Sequence, residues 1–197
     1  MKEFTLFTST VLPLKVDNID TDQIIPARFL KSVGREGFGD KLFHDWRFDE
    51  NGKNKDSVFF DPRFKNAQIL LAGNNFGVGS SREHAVWAIK DYGFRVVISS
   101  AFGDIFYNNA LKNGLLTIQL KPNEIDKLFQ AVEKDTHLIL TISLPDQTVA
   151  TNKNHMFSFP IDPFRKACLI KGVDDLGYLL DLDKEITEFE MSHKIYI

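Results

Sequence analysis

Between Ile69 and Leu120 three short apolar runs alternate with two segments of helical period, and this alternation constrains the fold more than any other feature. Ile69-Leu70-Leu71-Ala72, Arg95-Val96-Val97-Ile98-Ser99 and Leu115-Leu116-Thr117-Ile118-Gln119-Leu120 read as strands buried on both faces. Glu83 to Tyr92 and Asp104 to Lys112 read as helices, stopped by Gly93 and by Asn113-Gly114. Strand and helix at this spacing build βαβ units, which predict an α/β fold with a mostly parallel central sheet.

The flanks are richer in strands. Phe4 to Leu14 alternates, with Pro13 marking an edge or a strand end. Pro122 opens a helix through Val132, and His137 to Ser143 is a further strand. Thr148 to Ala150 and Met156 to Phe159 suggest a hairpin, Asp162 to Lys171 a helix ended by Gly172, and Glu185 to Met191 a last helix. Ala27 to Val33 reads as a short helix or an extended segment. Gly34, Gly37 and Gly39 then break regular structure, so Ser32 to Asp40 is expected to be a mobile loop, either a lid or a plain surface turn. Leu42 to Phe48 is aromatic-rich and expected to pack, and Asp49 to Asp56 is expected to be a polar surface loop. With no repeat, low-complexity tract or linker, residues 1–197 are expected to form a single domain.

The net charge of −3, from 24 basic and 27 acidic residues, gives no electrostatic case for nucleic acid. A single cysteine, Cys168, rules out an intrachain disulfide and leaves no set of thiolates for a zinc or iron–sulfur site. It falls on the apolar side of its helix and reads as core. The first residues carry no signal-peptide core and no apolar run reaches membrane-spanning length, so the expectation is a soluble cytoplasmic protein with no membrane partner.

The chemistry concentrates in Asn74 to Ala88, between the first buried strand and its helix. Two glycines, two serines and Arg82 sit at a helix start, where unpaired N–H groups and a positive dipole end favour anions. Arg82 adds a planar fork suited to carboxylate or phosphate. Gly77 and Gly79 resemble part of a dinucleotide fingerprint, but Arg82 stands where the third glycine belongs. Neither a Walker loop nor a Gly-x-Ser-x-Gly elbow is formed. Ser80 is therefore either a helix cap, completed as a capping box by Glu83, or a catalytic hydroxyl. His84 is either a base or a structural histidine. Asp17, Asp20 and Asp22 lie within six residues, but the spacing lacks the glycine and distal Glu of a calcium loop. They read as a turn plus a helix N-cap, with no metal site.

Gly79-Ser80-Ser81-Arg82-Glu83-His84-Ala85 resembles the signature of the swivelling domain of the aconitase superfamily, and Asn18-Ile19-Asp20-Thr21-Asp22-Gln23-Ile24-Ile25-Pro26 resembles the other signature of that domain. Gly37-Phe38-Gly39, Leu42 to Phe48 and Asp91-Tyr92-Gly93-Phe94 narrow the likeness to the small subunits of bacterial 3-isopropylmalate dehydratases. The resemblance covers essentially the whole chain. Val78 departs from the cysteine common at that position, which is not one of the family's chemical groups.

The resemblance implies a swivelling β/β/α domain and half of a hydro-lyase. A separate large subunit is expected to carry a four-iron four-sulfur cluster whose open iron acts as Lewis acid, with no cofactor on this chain. The implied reaction interconverts 2-isopropylmalate and 3-isopropylmalate by dehydration and rehydration in leucine biosynthesis. Ser80 matches the serine that, as alkoxide, removes and returns the carbon-bound proton. Arg82 matches the arginine that binds a carboxylate of the small dicarboxylate substrate, and Ser81 its neighbour in binding. Leu30, in the substrate-discriminating segment Phe29-Leu30-Lys31-Ser32, is the expected contact for the branched apolar group. Related hydro-lyases acting on citraconate with methylmalate, or on homoaconitate, and a non-catalytic anion-binding module share these features.

Overall fold

The computed structural model describes residues 1–30, 37–153 and 155–193. Seven strands form one curled sheet: β1 (Leu6–Leu14), β2 (Ile69–Ala72), β3 (Val96–Ser99), β4 (Leu116–Gln119), β5 (Ile139–Ser143), β6 (Thr148–Thr151) and β7 (Met156–Ser158), in the order β4-β3-β2-β1-β5-β6-β7. The helices are α1 (Thr21–Ile24), α2 (His44–Arg47), α3 (Glu83–Tyr92), α4 (Asp104–Lys112), α5 (Pro122–Lys134), α6 (Pro163–Lys171), α7 (Asp175–Leu180) and α8 (Asp183–Ser192).

The four strands β1 to β4 run parallel, the predicted helices α3 and α4 joining β2 to β3 and β3 to β4. β2 and β3 are buried at every position, as strands covered on both faces must be. The remaining three strands add an antiparallel wing whose burial alternates residue by residue. The predicted hairpin is β6–β7.

Strand β1 joins the two parts. It pairs with β5 over Leu6 to Thr10 and with β2 over Val11 to Leu14. Pro13 therefore sits near the strand end, where just one flank carries a ladder and a missing N–H does little damage.

The core is continuous and aromatic-rich, with Phe38, Phe43, Phe76 and Phe94 fully buried. The aromatic run after Gly39 packs as expected: Phe43 stacks on Trp46 at 5.0 Å. Cys168 is buried on α6. Of the expected lid loop, residues 32–36 lie outside the described residues; Gly39–Lys41 is a short 3-10 turn. The segment from Ala27 is also a 3-10 turn, Ala27–Phe29, rather than an extended strand. The last two helices, α7 and α8, bury no residue fully and leave Leu176, Leu180 and Phe189 exposed.

Candidate active site

The candidate residues sit beyond the C-terminal ends of β1 and β2, the end of a parallel sheet where loops converge on ligands. The loop after β1 and the loop after β2 are laced together along their length. Asn74 N–H donates to the Asp17 carboxylate at 2.7 Å, and Asn18 N–H to Asn74 C=O at 2.8 Å. Gly77 N–H donates to Ile19 C=O at 2.7 Å, and Thr21 N–H to Val78 C=O at 2.9 Å. The Thr21 hydroxyl donates to Ser80 C=O at 3.0 Å. Two motifs some sixty residues apart thus form one backbone unit, and the second is held in place by the first.

Two glycines make the close approach possible. Gly77 has φ +75°, and a Cβ there would lie 2.3 Å from the Phe106 ring. A Cβ at Gly79 would make ordinary contact with Asp20 and Thr21, at 3.5 Å and beyond, but φ is +92°, a conformation that side chains other than glycine's strain to adopt. This turn lifts Ser80 and Ser81 to the surface, where both are exposed.

Helix α3 begins one step later than its serines suggest. Its N-cap is Arg82, and no side chain caps it. The expected capping box between Ser80 and Glu83 does not form, because the Glu83 carboxylate instead accepts from Asn113 Nδ2 at 2.8 Å, at the end of α4. Ser80 is not a cap: among the described residues its hydroxyl has no hydrogen-bond partner. Ala85 N–H donates to Arg82 C=O at 3.1 Å, and the N–H groups of Glu83 and His84, the two serine hydroxyls and a guanidinium are left together at the helix start.

Arg82 is the most constrained of the three. Its side chain is 18% exposed. Its Nη1 donates to Asp22 Oδ1 and to Ile25 C=O at 3.3 Å. Asp22 Oδ1 also accepts Ala27 N–H at 2.8 Å, in the turn that ends at Leu30. The Arg82 hydrogen bond, seconded by that of Ala27, holds the Asp22 carboxyl below the usual carboxylate range.

The three aspartates of the first motif do separate jobs. Asp20 caps α1 in a capping box with Gln23, Asp17 holds the backbone of Asn74, and Asp22 holds Arg82. This is the turn and N-cap that the spacing predicts. Among the described residues no group of three or more His, Cys, Asp or Glu side chains comes together to hold a metal. His84 packs between Phe38 and Trp87, with ring centroids at 5.3 and 4.7 Å, which is the structural alternative of its two readings.

Comparison with known proteins agrees with this architecture. Residues 1–123 match the family described as aconitase C-terminal domain, and residues 126–163 match LeuD_N. The chain is 48% identical to the 3-isopropylmalate dehydratase small subunit of Afipia carboxidovorans, over 99% of this chain and 98% of that one. It is 49% identical to the small subunit of the same name from Christiangramia forsetii, over 98% and 95%. The chain belongs to the 3-isopropylmalate dehydratase small-subunit family. A solved structure, the 3-isopropylmalate dehydratase LeuD of Methanocaldococcus jannaschii, aligns with a TM-score of 0.66 at 25% identity, over 93% of this chain and 98% of that one. The reaction class of a dehydratase small subunit in the aconitase superfamily is that of a hydro-lyase.

In this family member Ser80, Ser81 and Arg82 stand together at the start of α3. Leu30 is half-buried at the end of its own turn, and its connection to them runs through Asp22. Asp22 is the residue that the motif spacing left unassigned. Its signal was present in the second aspartate of Asp20-Thr21-Asp22, but its partner lies 60 positions away.

Among the described residues no helix is long and apolar enough to cross a membrane.

Proposed function

We propose that this chain is the swivelling subunit of an enzyme that interconverts 2-isopropylmalate and 3-isopropylmalate, working with a large subunit in the cytoplasm. The observation that carries the proposal is the exposed Ser80–Ser81 pair beside an uncapped helix start and a fixed guanidinium. All 197 residues serve as one swivelling domain.

The donors present do not fit a four-iron four-sulfur cluster. The sole cysteine is buried on α6, remote in sequence from the site, and no metal-ligating cluster occurs among the described residues. The cluster is therefore assigned to the large subunit.

Arg82 and Ser81 bind one carboxylate of the substrate. Arg82 supplies charge and planar donors, and the first turn of α3 adds backbone N–H groups. Ser80 Oγ, as alkoxide, takes the proton from the substrate carbon and returns it in rehydration. Serine is a very weak acid, so the alkoxide needs positive potential and exclusion of water. The helix start and Arg82 provide the potential. Among the described residues Ser80 is left exposed, and the water-excluding wall is assigned here to the partner surface that closes over it. Leu30 meets the isopropyl group, an apolar contact that discriminates by roughly 1–3 kcal/mol.

The test is reconstitution with the large subunit and assay on each dehydrated intermediate. Isopropylmaleate is expected to turn over faster than citraconate or the homoaconitate-series substrate. Equal or faster turnover of citraconate would assign the chain to a neighbouring hydro-lyase instead.

A further inference from the structure

We propose that Asp22 is a positioning residue that aims Arg82 at the substrate carboxylate and ties it to the turn carrying Leu30. This rests on the functional reading of Arg82 given above.

One corner of the Arg82 guanidinium is occupied. Arg82 Nη1 alone carries both internal hydrogen bonds, to Asp22 Oδ1 and to Ile25 C=O. Among the described residues nothing engages Nε or Nη2. Those two nitrogens form the side-on edge that accepts a carboxylate with two parallel hydrogen bonds. Asp22 therefore does not compete for the edge a substrate needs. It pins the opposite corner and fixes the plane of the fork before the ligand arrives.

An arginine left alone would lose its rotamer freedom on binding. Here most of that freedom is already gone, because the side chain is largely covered and held at two points. The same Asp22 oxygen accepts Ala27 N–H at 2.8 Å, and Leu30 N–H closes the turn on Ala27 C=O at 3.1 Å. One carboxylate oxygen thus links the carboxylate-binding group to the backbone bearing the specificity residue. Asp22 itself is 58% exposed, so burial in the core is a poor account of its place there.

Two substitutions separate the two links. Asp22→Asn keeps an oxygen for Ala27 N–H but removes the charge that holds Arg82. In the complex reconstituted with the large subunit it is expected to raise KM for 3-isopropylmalate about tenfold, equivalent to ~1.4 kcal/mol, while kcat changes less than about threefold. Asp22→Ala also loses the Ala27 link, so it should add a loss of discrimination between isopropylmaleate and citraconate of about fivefold. A KM that stays level or falls in Asp22→Asn would mean that the carboxylate competes with substrate, and would overturn the proposal. Equal discrimination in the Asn and Ala variants would overturn the link to Leu30.

A second readout uses the isolated chain and needs no turnover. Rotation of the Arg82 guanidinium, followed by ¹⁵N exchange spectroscopy of its Nη groups, should be slow in the wild type and at least tenfold faster in Asp22→Asn. Unchanged rotation would sink the positioning role outright. Ser80→Ala run alongside distinguishes the two levels: if that variant keeps full turnover, the catalytic reading fails while the rotation measurement still decides the hold on Arg82.

Discussion

Two short loops leave neighbouring strands at the same end of the sheet, and each runs into a helix, but they end differently. The loop after β1 enters α1 through a closed capping box: Asp20 accepts from Asp22 N–H at 2.8 Å and Gln23 N–H at 2.7 Å, and Gln23 returns a bond to Asp20 N–H at 2.8 Å. The loop after β2 enters α3 with no side-chain cap at all. Capping typically stabilises a helix by about 1 kcal/mol, and Ser80, Ser81 and Glu83 supply the residue types for it. The chain nevertheless spends Glu83 on Asn113 and presents both serines to solvent. The contrast teaches that α1 is a clamp whose donors are consumed internally, while the start of α3 goes without a side-chain cap, which in the function proposed above leaves donors for a ligand.

The strongest way to break that comparison is Ser80→Ala. If Ser80 were an incidental surface residue, turnover of the reconstituted complex would hold. As the proton-transferring group its loss should lower kcat by roughly 10³-fold, within the usual range for a positioned acid–base group, with subunit assembly intact by size-exclusion chromatography. Assembly matters because an anion-binding module without catalysis would also survive the substitution structurally. Arg82→Lys comes next. It keeps the charge but loses the planar fork, so KM should rise about thirtyfold, with a smaller change in kcat. A KM within twofold of wild type would show that a point charge suffices and that the edge geometry is irrelevant.

Much of this architecture was legible from local pattern. The buried runs of β2, β3 and β4, the helices between them and the Asp162 and Gly172 bounds of α6 follow from periodicity and caps, because each depends on residues a few positions apart. The motifs also marked the two loops that the backbone laces together. What stayed hidden depends on distant partners. That Glu83 abandons Ser80 follows from Asn113, thirty positions on, and that Arg82 is pinned follows from Asp22, sixty positions back. The pairing of β5 onto β1 across 133 positions turns a central βα sheet into one with an antiparallel wing, and no local signal states which edge β5 would choose. Arg47 illustrates the same limit. It reads as one charge in an aromatic run, yet it is buried among Phe48, Phe60 and Tyr92, with its guanidinium donating to Leu42 C=O at 3.1 Å.

The smallest expected effect sharpens the comparison from the other side. Asp20→Ala removes the cap of α1 and leaves Asp22 and its hold on Arg82 in place. If α1 is only a clamp, the variant should lose about 1 kcal/mol of stability, a fall in Tm of about 2–4 °C by thermal unfolding of the isolated chain. KM of the reconstituted complex should move less than threefold, because no group of the α3 surface is altered. The contrast with Asp22→Asn is the informative part, since the two aspartates are two positions apart and both exchange a carboxylate for a neutral side chain. A KM rise in Asp20→Ala as large as that in Asp22→Asn would mean that the α1 start behaves as part of the ligand site. The division of labour between the two helix starts would then have to be given up in favour of a single rigid unit spanning both loops.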